Sequence, residues 1–492
     1  MNLIGDPWIP VIFRDGQHRL VSLQEAFEQG DEVCDLVVTP PQRVALMRLL
    51  LCITHAALDG PADEDDWREC KVRIPPDSLR YLGERTQKFD LFGPTPFLQV
   101  PSLTPTHNAT LDKLDLGLAA GNNSTLFDQD ACPAGRDHDS AWIALHLLTF
   151  QCFSPGGTIG ETVWAGQKTG RNSEHAPCLE SSALLTIIRG DSLLETVWKN
   201  LVTRRLTGGS QWGTPVWDLD TSSGVSEVER QMASTVLGRL VPVSRAVLLE
   251  AGKRSLTLAN GVAFPKYPQA RDTMACIIKR GDGEQRYLGI NLNKHPWREL
   301  SGILRFGQAG TQGGAYALGH LVSGCDAPVD IWVGGVVAGK SGRAVDAAEW
   351  NFHVPAGIIG APALLAYGNE IAYADRGEAA IREAVKTYRH ALNADYSGDL
   401  RSAATHYWST LDAHRGMLLN LVNEGADLGP WQQQVWRSMQ DAYAFACPHE
   451  TPRQIQAYAA GQQRLRIRRK AEETEPKRAK RGRRKEVTNE QE

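Results

Sequence analysis

The sequence predicts an α+β protein: a mixed α/β N-terminal domain over residues 1–360, followed by a C-terminal four-helix bundle over 361–470. Three observations carry this. At 492 residues the chain is too long for one compact core, so two or three domains are expected. Short apolar runs broken by Gly and Pro fill much of the first 360 residues, as in strands and loops mixed with helices. The composition then shifts near Ala361, where alanine becomes frequent, proline rare, and apolar residues recur at helical spacing. Residues 471–492 are charged and nearly free of apolar side chains, which predicts a disordered tail, because no burial there offsets the entropy of ordering.

Taken in order, Trp8-Ile9-Pro10-Val11-Ile12-Phe13 reads as a strand, Asp15-Gly16 as a hairpin-type turn, and Ser22 as the cap of a helix from Leu23 to Phe27. Thr39 caps a strong helix running to about Leu58, with Pro40 at its first position, where a missing N–H costs nothing. Phe89 to Gln99 is dense in aromatics and prolines and reads as an irregular packed segment. An apolar run, Ala141 to Phe150, leads into a glycine-rich loop. Leu184 to Ile188 follows as a strand, then an Arg189-Gly190 break and a helix capped by Asp191. Between about 205 and 335, strands are predicted at Ser255–Leu258, Met274–Lys279, Arg286–Asn291 and Val329–Val333. Ile381–Leu392, Leu400–Val422, Trp431–Phe445 and Pro452–Ile467 supply the four helices of the bundle, and short connections make them antiparallel. No internal repeat interrupts this order.

Composition excludes several classes. With 42% hydrophobic and 22% charged residues the chain is an ordinary globular protein. No apolar run approaches the ~20 residues that span a bilayer, and the N-terminus lacks the basic and apolar regions of a secretory signal. Nine scattered cysteines without a CxxC pair fit reduced thiols and a cytoplasmic location better than a disulfide framework or zinc ribbon. The net charge of −4 is uneven: residues 464–492 hold 12 Lys/Arg against six Glu, leaving the remainder near −10. A net-acidic body still binds nucleic acid where basic groups cluster, so total charge excludes no partner.

The glycine loop is Ser154-Pro155-Gly156-Gly157-Thr158-Ile159-Gly160. Glycine lacks a Cβ, so the bare backbone can approach a ligand, while Pro155 stiffens the entry. It is either an ordinary tight turn or a surface offering amides to phosphates or base edges. Gly334-Gly335-Val336-Val337-Ala338-Gly339-Lys340-Ser341 matches the P-loop pattern GxxxxGK[ST] and raises a nucleotide hydrolase using Lys340 and Ser341 as the alternative function. Its context disagrees, since Gly342 follows at once and only Arg343 to Trp350 offers a helix. Asp137-His138-Asp139, with Cys132, His146 and Cys152 nearby, has metal-ligand chemistry, but His146 sits in an apolar helical run and reads as a core histidine. Lys253-Arg254 precedes a strand and is either solvated surface or a phosphate contact, and the tail bases attract nucleic acid or simply solubilise. No Ser/His/Asp arrangement has a recognisable context, so the chain is not expected to be an enzyme.

In their order these segments resemble the CasA family, the large subunit of the type I-E CRISPR Cascade complex. The opening Met1-Asn2-Leu3-Ile4-Gly5-Asp6-Pro7-Trp8-Ile9-Pro10-Val11 carries the resemblance, with Pro96-Phe97-Leu98-Gln99, the glycine loop and Leu184-Leu185-Thr186-Ile187-Ile188-Arg189-Gly190-Asp191. Pro296-Trp297 and His406-Tyr407-Trp408 follow in the family's order, so the similarity spans about residues 1–465 and leaves out the basic tail.

The resemblance implies the same two-part fold and a non-catalytic role without cofactors. Family members read a short protospacer-adjacent motif (PAM) on double-stranded target DNA, start strand separation and hold the displaced strand. The guide RNA then reads the target by pairing, alongside the other Cascade subunits, and a helicase–nuclease is recruited. By position, Gly156, Gly157 and Thr158 occupy the loop that approaches the PAM minor groove. Lys253 or, in the favoured alignment, Arg254 falls where the family has a lysine finger. Phe127 with Asp128 falls in the loop that contacts the guide RNA. Ala338, Gly339, Lys340 and Ser341 coincide with the hairpin that wedges the duplex apart, without the glutamine that familiar members carry at its tip. The cysteine cluster of some members is absent, so no zinc is expected.

Overall fold

One apolar helix organises the N-terminal part, packed mainly by other helices and by one antiparallel hairpin. The computed structural model describes residues 1–104, 108–118, 135–208, 211–252, 254–279, 283–305, 313–322, 327–339, 344–395 and 397–467. The chain divides into two compact units, Met1–Leu365 and Ala366–Glu492.

The first unit opens as the patterning predicts. Strand Ile9–Phe13 is central to an antiparallel sheet with His18–Val21 on one side and Val33–Leu36 on the other. Ser22 caps the Leu23–Glu28 helix in a capping box, its hydroxyl accepting from Glu25 N at 3.1 Å while the Glu25 carboxylate accepts from Ser22 N at 2.9 Å. The Pro40–Leu58 helix is the hub: Val44 to His55 are buried without a break, as a helix packed on all sides must be. It packs against helices Ile74–Gly83, Ser140–Phe153 and Val236–Leu240 and strand Val329–Ala338. One buried residue of this helix is charged. Arg48 donates to Asp272 Oδ1 at 3.1 Å and to the Leu240 carbonyl at 2.9 Å, and also bonds the Arg239 carbonyl at 2.5 Å. A buried guanidinium is tolerable only with such a full set of acceptors.

A second sheet orders Leu185–Arg189, Val329–Ala338 and Ala344–Val354, all antiparallel, and a third orders Arg245–Leu249, Ser255–Asn260 and Asn108–Thr110. Two predicted strands are shorter than expected. Only Ile277–Lys279 and Gln285–Tyr287 pair as a ribbon. Their flanks leave the ladder for other partners: Met274 accepts from Thr186 N at 3.0 Å, and Leu288 accepts from Leu184 N at 2.8 Å. The helix expected from an Asp191 cap begins one residue later, with Ser192 Oγ accepting from Glu195 N at 3.1 Å.

The second unit is helical, and its helices form the expected bundle. Ser397–Ala413 and Arg415–Asn423 make one rod interrupted at His414, Gly429–Ala446 and Pro452–Gln462 make two more, and the 32-residue helix Ala361–Leu392 supplies the fourth. Tyr388, Tyr407, Leu411, Trp431, Val435, Met439 and Tyr443 form its core. The buried tyrosines satisfy their hydroxyls on carbonyls, Tyr407 on Ala374 and Tyr443 on Tyr458, both at 2.8 Å. Among the described residues no helix is long and apolar enough to cross a membrane. The tail 471–492 lies outside the described residues.

Candidate nucleic-acid interface

The helix Ser140–Phe153 ends where the glycine loop begins, and the loop then runs as one strand of a two-stranded ribbon. Gly157 and Thr158 pair with Ser173 and Asn172, and Thr158 Oγ1 donates to Asn172 Oδ1 at 3.0 Å. Gly157 has φ +138°, a conformation that side chains resist, and a Cβ built on it would meet nothing within 4 Å. The bare backbone there faces open space. Gly156 is glycine for a different reason: its Cβ would sit 3.0 Å from the Ser173 carbonyl oxygen, inside the ribbon. Arg171, just before the returning strand, is exposed and accepts from Ile159 N at 2.9 Å through its carbonyl, and exposed Lys168 lies further out on the short strand Gln167–Lys168, which pairs with Val163–Trp164. Behind the ribbon, Lys266 pairs with Glu174 at 3.2 Å. Burial, and then the Lys266 charge, hold the His175 imidazole below its ordinary range. The two strands form the base of a longer hairpin that turns at Ala165-Gly166, and they expose bare backbone and a hydroxyl with Arg171 close by, chemistry suited to a groove lined by phosphates.

Arg254 is placed elsewhere. It immediately precedes strand Ser255–Asn260, whose far end carries Asn260, and Asn260 accepts from Ser173 Oγ at 2.7 Å beneath the glycine loop. A six-residue strand is roughly 20 Å long. Arg254 and the loop therefore do not converge on one base pair, and Arg254 is 53% exposed and ion-paired with Asp137. Lys253 lies outside the described residues.

The P-loop pattern folds as a hairpin. Strand Val329–Ala338 returns as Ala344–Val354 in antiparallel register, with an irregularity between Val337 and Ala338, so a strand stands where a phosphate-binding loop would open a helix. Of the stretch Arg343 to Trp350 that offered a short helix, the described residues from Ala344 on belong to this returning strand, and the P-loop alternative loses its structural basis. Ala338 N donates to Ser182 Oγ at 2.9 Å, which fixes the tip end of the hairpin, and Gly339 follows. Lys340 and Ser341 lie outside the described residues. Lower down, Trp332 Nε1 donates to the Glu349 carboxylate at 2.5 Å, and Arg189 Nη1 donates to Asn351 at 3.3 Å. The stretch Ala176–Ser182 links hairpin and loop, since Ala176 N donates to the Ser154 carbonyl at 2.9 Å.

Phe127 and Asp128 also lie outside the described residues. The chain that follows them is organised by the buried Asp112, which accepts from Arg136 Nη1 at 3.1 Å and bonds His138 Nε2 at 2.8 Å. The imagined metal ligands diverge. Asp137 holds Arg254, Asp139 caps the Ser140–Phe153 helix, and His146 bonds the Trp142 carbonyl at 2.8 Å. His138, Trp142 and His146 stack in one column, with centroid spacings of 3.4 and 3.9 Å. Among the described residues no group of three His, Cys, Asp or Glu converges as metal ligands.

Sequence reasoning missed the two residues that hold the loop from below, Asn260 and Arg245. Arg245 is 2% exposed, and its guanidinium donates to the Ser244 carbonyl at 2.6 Å and to the Pro155 carbonyl. Burial pulls it down to about 10, so it stays charged at neutral pH. No local motif marks a buried arginine, and only the tertiary pairing reveals it.

Comparison with known proteins places this geometry. Residues 2–445 match the family described as CRISPR-associated protein Cse1. A curated relative, CRISPR-associated protein CasA/Cse1 of Thermus thermophilus, is 32% identical over 323 residues, covering 62% of this chain and 60% of that protein. The crystal structure of Thermobifida fusca Cse1 shares the fold, with a TM-score of 0.77 at 21% identity over 94% of this chain and 98% of that one. A chain of a CRISPR RNA-guided surveillance complex does so with a TM-score of 0.76 at 18% identity, over 94% and 99%. The chain belongs to the CRISPR-associated protein Cse1 family, the CasA family that its motifs resemble.

Proposed function

We propose that this chain is the DNA-recognising large subunit of an RNA-guided CRISPR surveillance complex, working without catalysis of its own. The loop residues Gly156, Gly157 and Thr158 enter the minor groove at the PAM. Because that groove presents a degenerate pattern of acceptors, backbone amides and one hydroxyl read it with tolerance for related sequences. The 334–342 hairpin then enters beneath the PAM and separates the first base pairs, which costs a few kcal/mol that groove and phosphate contacts must offset. Arg254, with Lys253, meets a phosphate away from the loop. Lys340 takes a phosphate of an opened strand, since an ammonium cannot stand in for a glutamine amide. Phe127 and Asp128 seat the subunit on the guide RNA, the remaining Cascade subunits hold the heteroduplex, and a separate helicase–nuclease completes interference.

The single observation that carries this reading is the exposed, unobstructed backbone at Gly157. Support for the assembly comes from the likeness to a chain of a surveillance complex. The test is Gly157→Arg, which puts a side chain where the groove floor would lie. PAM-dependent duplex binding by the assembled complex should fall at least tenfold while assembly is kept. Unchanged binding would remove the loop from the DNA site.

A further inference from the structure

The glycine loop is held from below by one rung of the neighbouring sheet. Arg245, the first residue of its strand, stands directly opposite Asn260, the last residue of the partner strand. The Arg245 backbone exchanges two hydrogen bonds with the Gln151 side chain, N to Oε1 at 3.0 Å and Nε2 to O at 2.8 Å, which ties the rung to the helix that leads into the loop. From this fixed point the Arg245 guanidinium reaches Pro155, two residues before Gly157. Asn260 reaches Ser173, the residue paired with Gly157 across the ribbon. The outgoing and the returning strand are thus each pinned once, by two side chains of the same rung. There is no slack beneath it, since a Cβ on Gly261 would lie 2.5 Å from Arg245 N.

The chemistry of the rung is also informative. A buried guanidinium is costly, and an apolar side chain would fill the same space at lower cost. Here its two side-chain hydrogen bonds go to carbonyls, while Glu174, the acid whose field it feels, is already paired with Lys266. A fixed cation therefore stands behind the loop.

We propose that Arg245 and Asn260 are the positioning residues of the glycine loop and set how sharply a PAM is distinguished from other duplex sequence. This rests on the loop being the groove-reading element. Shape readout needs the backbone held to a fraction of an ångström, and the rung supplies that constraint without touching DNA.

The test uses the assembled complex with Arg245→Lys, Arg245→Met and Asn260→Ala, with Gly157→Arg alongside. The readout is the ratio of affinities for intact-PAM and scrambled-PAM duplexes at fixed salt. Arg245→Met and Asn260→Ala should lower the ratio at least tenfold through the intact-PAM arm, with scrambled-PAM affinity within twofold of the parent. Arg245→Lys keeps the charge but cannot hold two carbonyls in a fork, so its ratio should fall between. If Arg245→Met does not assemble, the two milder variants decide. A parental ratio in assembled Asn260→Ala and Arg245→Lys complexes, with Gly157→Arg still abolishing discrimination, overturns the rung proposal alone. A parental ratio in Gly157→Arg overturns the reading of the loop itself.

Discussion

His55 and Glu180 show what buried ionisable groups do to the stability of this chain. Burial, aided by Arg204, lowers His55 to about 3, and burial raises Glu180 to about 7. Their linkages oppose. For His55 the unfolded chain binds the extra proton, so its contribution is complete above pH 6.5 and is lost as pH falls toward 3, at about 1.4 kcal/mol per pH unit. For Glu180 the folded chain holds the proton, so its contribution is complete below pH 4.5 and is lost as pH rises through about 7. Relative to the parent, Glu180→Gln should make the urea midpoint rise more steeply from pH 5 to 6.5, and His55→Gln should make it fall over the same span. Parallel profiles for all three proteins would show that neither group titrates as its burial demands. Neither residue was marked by its sequence context, and the same holds for Arg48, Arg245 and Asn260. Caps were legible: Ser22 and Thr39 open their helices as read, because the capping signal is local. Buried polar partners were not, because |i−j| separations such as the 224 residues between Arg48 and Asp272 leave no local trace.

At the scale of elements, tertiary contact overrode propensity in two instructive places. Ala344–Val354 contains good helix formers, yet it is a strand because the apolar strand Val329–Ala338 needs a partner and Trp332 needs the Glu349 acceptor. The first bundle helix was read only from Ile381, because Gly368 and Gly377 weaken its earlier turns. Gly377 is required by packing: a Cβ there would lie 2.6 Å from the Tyr407 hydroxyl and 3.1 Å from Met439 Sδ. Gly461 is the same device on the last helix, where a Cβ would meet the Ala384 carbonyl at 2.7 Å and the Tyr443 hydroxyl more closely still. Gly461→Ala gains helix propensity but must push backbone apart, so overpacking prevails and the helical unit should lose about 1–3 kcal/mol. Thermal unfolding followed by circular dichroism measures it; a stabilised variant would mean that the last helix is less closely seated. The glycine loop was legible as a motif because its glycines are consecutive, whereas its ribbon partner Asn172–Ser173 has no strand-like pattern.

Over the whole molecule, the acidic body and basic segments divide the electrostatic work. Arg171 beside the glycine strand and Lys168 further along the same hairpin are exposed cations on a chain whose net charge is −4. Under the proposed function, discrimination rests on shape at the loop and on opening at the hairpin more than on phosphate contacts, so it should depend on salt only modestly. The measurement that tests this most directly is target-duplex affinity of the guide-RNA complex with and without this chain, on intact and scrambled PAM at fixed salt. Affinity added only on the intact PAM is the predicted result. Equal addition on both duplexes would contradict it, and would make the chain a general DNA clamp.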